Sequence, residues 1–349
     1  MTHLYRLKTL ALTAALSTLP ISTAMAAPIV AVSAPQQMVQ LGDYTLESQS
    51  VIHDCGIGYR TLGTLNADKS NVVVFLPWHT GKSIDVLPLL TPKGLFNPAG
   101  YYVIIVDPIG NGVSCSPSNS LKQHGTAFPV FTMRDVVEAE YQLLHDKLGY
   151  KHVHAVLGYS MGGSSTFQWM VSHPGYMDVA IPIAGTPRQT SYDLLFWRTE
   201  EMAMLADPDY ANGDYQKNPN LELFNRLFAL NATSPSYRIA NTPPEGIDKF
   251  LQETDEFDPE SADANDSRWQ IKAFLTQNIG ADAAKKIKAR VHIINSRQDH
   301  MVNPAPALAL AKQIHASTTI LESNCGHSGL GCDLDKLRPA IERALKGAR

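Results

Sequence analysis

Short, strongly apolar runs recur along the chain with helix-sized spacings between them. They fall at residues 72–76, 102–106, 152–157, 179–183, 291–294 and 318–321. Runs of this length and apolarity suit strands covered on both faces, as in a mostly parallel sheet. The segments between them carry helical faces. Residues 133–148 place Val136, Val137, Leu143, Leu144 and Leu148 at helical spacing, and 307–315 and 337–345 behave similarly. Ahead of this pattern, residues 39–59 read as an extended hairpin. Strands alternating with helices predict an α/β fold with a doubly wound, mostly parallel sheet.

The alternation fails once. Residues 187–289 contain no strand-like run of comparable quality; they are helix-prone, polar, and acidic around 253–266. We read them as a helical lid inserted into a core formed by residues 27–186 and 290–349. Aromatic residues in the lid, Tyr215 among them, would line a substrate channel or pack a small helical core.

One apolar run ends in chemistry. Val156-Leu157-Gly158-Tyr159-Ser160-Met161-Gly162-Gly163 passes from a β-prone stretch through Gly-x-Ser-x-Gly into a helix-like segment bearing Phe167, Trp169 and Met170. This is the order of a nucleophile elbow, where a serine sits at a strained strand-to-helix turn that only small neighbours allow. The N–H of Met161 would then face a developing oxyanion. A serine hydroxyl needs a base, and the base needs an acid to orient it; the elbow architecture expects them in the order Ser, acid, His. Asp299 follows the run at 291–295, with Glu322 and Asp333 as lesser candidates for the acid. His327 lies in the Gly-flanked Asn324-Cys325-Gly326-His327-Ser328-Gly329, with His300 as its rival. A second oxyanion donor is expected in the loop Leu76-Pro77-Trp78-His79-Thr80-Gly81, with the His79 N–H favoured over its neighbours Trp78 and Thr80.

Composition narrows the setting. The balance of 29 basic against 33 acidic residues, a formal charge of −4, argues against a nucleic-acid surface. Arg6 and Lys8 precede a short apolar stretch that ends near Ala24-Met25-Ala26, a pattern predicting a signal peptide over residues 1–26 and a periplasmic or secreted protein. The stretch is too short for a comfortable span, so no stable membrane anchor is expected. Export permits disulfides among Cys55, Cys115, Cys325 and Cys332. Cys325 and Cys332 flank His327 and could form a local staple, leaving Cys55 and Cys115 to pair or stay free. Neither a metal-ligand spacing nor a phosphate loop is present, so no metal or cofactor is expected.

Several segments taken together resemble the homoserine O-acetyltransferase branch of the α/β-hydrolases: residues 59–76 (YRTLGTLNADKSNVVVFL), Thr80-Gly81, 107–117 (DPIGNGVSCSP), 128–137 (FPVFTMRDVV), the GYSMGG elbow, Asp299, and Gly326-His327. In the lid, 207–215 (DPDYANGDY) and Asp263-Ala264-Asn265 add to the likeness. The resemblance implies acyl transfer through Ser160, with departures that bear on the acceptor. Registering the lid on Asp207-Pro208 puts Glu201 where an arginine is expected, and a carboxylate there would repel the carboxylate of homoserine. Tyr159 replaces the usual glycine, and export removes the protein from cytoplasmic acetyl-CoA.

The expected function is therefore hydrolysis of a small carboxylic ester or related acyl compound, with Trp78, Tyr159, Glu201 and Tyr215 as candidate substrate contacts. The rivals are an acyltransferase with the same acyl-enzyme and a binding protein on a hydrolase scaffold. The partners expected are a small-molecule acyl substrate and, through the lid, a second copy of the chain.

Overall fold

The computed structural model describes residues 34–255 and 262–347. The expected signal peptide lies outside the described residues.

The strands form one eight-stranded sheet in the order β1-β2-β4-β3-β5-β6-β7-β8. The hairpin β1 (Gln37–Thr45) and β2 (Val51–Gly63) is antiparallel, and β2 joins the sheet antiparallel to β4 (Tyr102–Val106). Beyond it, β4, β3 (Val72–Leu76), β5 (Val153–Tyr159), β6 (Met177–Ile183), β7 (Arg290–Ser296) and β8 (Ser317–Leu321) are parallel. Each apolar run of the sequence became a strand.

The apolarity of these strands follows from double burial. Along β3, Val72, Val74 and Leu76 pack on one face with Phe167, Trp169 and Met170, while Val73 and Phe75 pack on the other with Leu337, Ile341 and Leu345. The first face is covered by helices α1 (Met133–Tyr141) and α2 (Met161–Ser172). The second face is covered by the C-terminal helix over Leu334–Lys346. Successive side chains point to opposite faces of a strand, so a strand with a helix layer on each side must be apolar at every position.

Among the described residues no strand of the sheet lies between β6 and β7. That stretch runs through α3 (Ser191–Ala206), α4 (Glu222–Ala232), α5 (Pro235–Asn241), α6 (Ile247–Asp255) and α7 (Ala264–Leu275). The α3 helix begins with a reciprocal cap between Thr190 and Asp193, and α7 is capped by Asp263. After β7 the alternation resumes with α8 (Ala305–Gln313) and α9 (Leu334–Lys346). Among the described residues no helix is long and apolar enough to cross a membrane.

Two disulfides join the four cysteines, Cys55–Cys115 and Cys325–Cys332. The first ties β2 to the loop after β4; the second closes the loop carrying His327.

Candidate active site

The site sits at the carboxyl ends of the central parallel strands, where loops leave the sheet. Ser160 follows β5 directly, and its N–H donates to Ile183 O at 2.8 Å, carrying the β5–β6 pairing one residue further. The chain then reverses. Ser160 takes φ 58°, ψ −116°, a region that costs a residue with a side chain on the order of 1–3 kcal/mol. The reversal brings β5 against the start of α2. A Cβ on Gly158 would lie 2.3 Å from Gly162 O, and one on Gly162 would lie 2.0 Å from Leu76 O, so both positions require glycine. Met161 opens α2, and its N–H is among the first-turn donors that a helix leaves unpaired.

Two further loops converge on Ser160. His327 Nε2 lies 2.7 Å from Ser160 Oγ, and His327 Nδ1 lies 2.7 Å from Asp299 Oδ2. The second oxygen of Asp299 accepts the N–H groups of Met301 and Val302 at 2.9 and 2.8 Å, which aims the carboxylate. A carboxylate only accepts here, so Nδ1 carries the proton and Nε2 is left to accept from the serine hydroxyl. All three residues are buried. The rival acids are engaged elsewhere: Glu322 pairs with Arg297 at 2.7 Å on the surface, and Asp333 accepts from Ser323 and Lys336. No hydrogen bond among the described residues links His300 to Ser160.

The loop after β3 lies alongside. Gly81 N–H donates to Trp78 O, and Thr80 N–H donates to Gln270 Oε1 of α7 at 2.6 Å. Pro77 has no N–H. Trp78 and His79 therefore carry the loop's remaining amide donors, and the Thr80 N–H is already engaged. The His79 ring is packed between Ser267, whose O lies 3.0 Å from Nε2, and Trp197, whose ring centroid is 5.9 Å away. Burial pushes its pKa down to about 4, so the imidazole is neutral at ordinary pH and contributes no cation.

The remaining candidates divide. Trp78 lines a cavity of about 420 Å³ with His79, Thr80, Leu221, Phe224 and Phe228. Tyr159 is buried beneath the site; its hydroxyl donates to His327 O and accepts from Leu330 N–H. It holds the His327 loop from below. Tyr215 is engaged at the start of α7, donating to Asp263 at 2.7 Å and accepting from Asn265 N–H. Glu201 does not line the cavity. Its carboxylate accepts from Arg268 Nε at 2.9 Å, so it is a neutralised pair and not the lone anion that the repulsion of a substrate carboxylate requires. Arg268 lies 67 positions further on, outside any local pattern.

Sequence reading missed Gln270, Ser267 and Asp193. Gln270 is a fully buried polar residue of α7, whose buried positions also include Asn265, Asp266 and Ser267, so no local pattern singles it out. Asp193 reads locally as a helix cap, yet its other oxygen accepts Asn303 N–H at 2.9 Å, tying α3 to the loop after Asp299.

The family model described as alpha/beta hydrolase fold matches residues 76–331. The chain is 29% identical over 323 residues to an ethyl acetate hydrolase of Pseudomonas veronii, covering 87% of this chain and 92% of that one. It is 28% identical over 349 residues to a homoserine O-acetyltransferase of Methanosalsum zhilinae, covering 85% of this chain and 69% of that one. Among solved structures, an acetylester hydrolase from Corynebacterium glutamicum superposes with a TM-score of 0.79 at 27% identity, covering 89% of this chain and 95% of that one. The resemblance to the homoserine O-acetyltransferase branch is borne out, with esterases among the same relatives. With an elbow serine between β5 and α2 on a mostly parallel sheet and a family model spanning most of its length, the chain belongs to the alpha/beta hydrolase fold family.

Proposed function

We propose that the protein is an exported serine esterase that hydrolyses a small, uncharged carboxylic ester through an acyl-enzyme. The observation that carries this reading is the continuous hydrogen-bonded chain from Ser160 Oγ through His327 to Asp299, at 2.7 Å for each link. In the proposed cycle Ser160 Oγ attacks the acyl carbon while His327 Nε2 takes its proton. Asp299 stabilises the imidazolium, and the N–H groups of Met161 and His79 receive the carbonyl oxygen as it gains charge. The proton then passes to the departing alcohol oxygen as its bond to carbon breaks. Water repeats the sequence on the acyl-enzyme, restoring Ser160 and releasing the acid.

The cavity beside the loop 77–81 supports an uncharged substrate. Its lining is largely apolar, with Pro219, Leu221, Phe224, Phe228 and Ala229; it includes Glu253 and Asp263, and neither lysine nor arginine. Such a wall presents no lysine or arginine to the phosphates of a coenzyme A thioester or to the carboxylate of homoserine. The similarity to an ethyl acetate hydrolase and an acetylester hydrolase points the same way. The disulfides support an oxidising compartment and hence export. We also propose pairing with a second copy through the inserted helices, which expose Leu195, Met202, Leu223, Leu230 and Ile239.

The test is to assay the purified protein against short p-nitrophenyl esters and, separately, against acetyl-CoA with homoserine. Hydrolysis is expected, and Ser160→Ala should lower kcat by at least about 10⁴-fold. Homoserine-dependent consumption of acetyl-CoA exceeding ester hydrolysis would replace the esterase with an acyltransferase, whose acyl-enzyme is the same and whose acceptor differs.

A further inference from the structure

We propose that Gln270, carried by an inserted helix and remote in sequence from every reacting group, is a positioning residue that decides which amide of the loop 77–81 faces the substrate oxygen. The proposal rests on the esterase reading above, because it concerns the same oxyanion site.

The loop has four amide donors for two tasks, closing its own turn and meeting the substrate. The Gly81 N–H is spent on Trp78 O at 2.9 Å. The Thr80 N–H is spent on Gln270 Oε1 at 2.6 Å. That bond also holds a conformation the loop would not keep unaided, since Thr80 has φ +59°, a left-handed value that a β-branched side chain disfavours. Rotating Thr80 back to ordinary backbone angles would turn the peptide between His79 and Thr80, and so re-aim the residues on either side.

Gln270 is built for this role. It is fully buried, and both ends of its carboxamide are engaged: the oxygen accepts from Thr80, while the nitrogen reaches Ile109 O at 3.4 Å in the loop after β4. An amide N–H can be met only by the carbonyl end, which sets the orientation. One turn earlier on α7, Ser267 holds the neighbouring residue, with its O and Oγ at 3.0 and 3.2 Å from His79 Nε2. Because burial keeps that imidazole neutral, Nε2–H is a donor to Ser267 O and cannot become a competing cation. Positions 267 and 270 lie on one helix face, so a single face of α7 grips two successive residues of the loop. From the core side, Asn111 Nδ2 donates to Gly81 O at 3.1 Å, anchoring the next residue. The His79 N–H takes no part in this grip.

A positioning residue of this kind acts on the transition state and not on ground-state binding, because the amide it aims is used only as charge develops. Gln270→Met removes the acceptor at nearly constant volume, and Gln270→Asn withdraws it by one methylene while keeping a polar group. Each is expected to lower kcat for p-nitrophenyl acetate by about 10- to 100-fold, short of the loss from deleting an oxyanion donor, with KM changed less than about twofold. Inhibition by a trifluoromethyl ketone, which forms a tetrahedral oxyanion on serine, should weaken by the same factor as kcat falls. Gln270→Glu, which keeps an acceptor at the same reach, should recover most of the loss. Using both Met and Asn keeps the test decisive should one of them fail to fold.

Three results would overturn the proposal. One is kcat retained within twofold in both variants. Another is a fall in kcat with ketone affinity unchanged, and the third is a parallel collapse of KM and melting temperature that Glu does not rescue. Ser160→Ala, run alongside, separates the two readings. If it is inert while Gln270→Met is fully active, Gln270 alone is misassigned; if it retains activity, the esterase site itself is wrong.

Discussion

The core and the insertion contribute to the site in opposite ways. The core supplies every group proposed to react: Ser160, Asp299, His327 and the amides of Met161 and His79 all stand at strand ends. The insertion supplies none of these and braces the loops that carry them. From it, Gln270 and Ser267 hold the loop 77–81, and Asp193 holds Asn303 beyond Asp299. Ala232 O and Ser234 hold the His327 loop, through Ser328 N–H and Asn324 O. Chemistry thus stands on strand ends, while its alignment depends on contacts from a separate helical layer.

The two regions also differ in how each holds a buried glutamate. On α3, Glu200 is fully buried and neither carboxylate oxygen has a hydrogen-bond partner; Trp197 Nε1 on the same helix is likewise unpaired. Burial raises the Glu200 pKa to about 9, so the side chain is held as the neutral acid. In the core, buried Glu140 accepts from Trp169 Nε1 at 2.7 Å, and its pKa rises less, to about 8.

This contrast can be sharpened or broken experimentally. The largest effect belongs to the core. Asp299→Asn should lower kcat by about 10³–10⁴-fold, because the amide no longer enforces the Nδ1–H tautomer of His327. Steady-state kinetics would show it, with thermal stability nearly unchanged; an effect under tenfold would remove Asp299 from the proposed triad. A smaller effect belongs to the insertion and carries the opposite sign. Glu200→Gln should stabilise the protein at pH 8 by on the order of a few kcal/mol. Below its ordinary value of 4.5 both folded and unfolded wild-type chains hold the proton, and the two proteins converge. As pH rises, the unfolded chain releases it first while the folded chain keeps it up to about pH 9, so wild type loses stability across that window and the glutamine variant does not. Denaturant melts at pH 4 and pH 8 would check this, and equal differences at both would show that Glu200 binds its proton alike in the folded and unfolded chains. The smallest effect concerns the exposed apolar surface. Leu230→Lys should weaken self-association at least tenfold, about 1.4 kcal/mol, as read by analytical ultracentrifugation. A wild-type chain that stays monomeric at high concentration would dispose of the pairing.

The same division governs what the sequence disclosed. The sheet was legible because double burial imposes apolar runs, and the elbow because glycine at 158 and 162 is a steric necessity that leaves a local signature. Asp299 and His327 were legible from chain order and loop character. The braces were not. Gln270 meets Thr80 across 190 positions, and Arg268 meets Glu201 across 67, so both depend on how the inserted helices pack and not on any local period. The expected repulsion between Glu201 and a substrate carboxylate left Arg268 out of account for that reason: the neutralising cation comes from a different helix.

Ser160 and the imidazole that would activate it stand 167 positions apart and meet only through β7, β8 and the loop beyond. A chain interrupted anywhere in that interval retains an elbow whose hydroxyl has no base and is as inert as any surface serine. Turnover therefore serves as a built-in indicator of complete folding. Recovered activity during refolding would count molecules that have closed the whole sheet, and a fragment containing the entire elbow would register as zero.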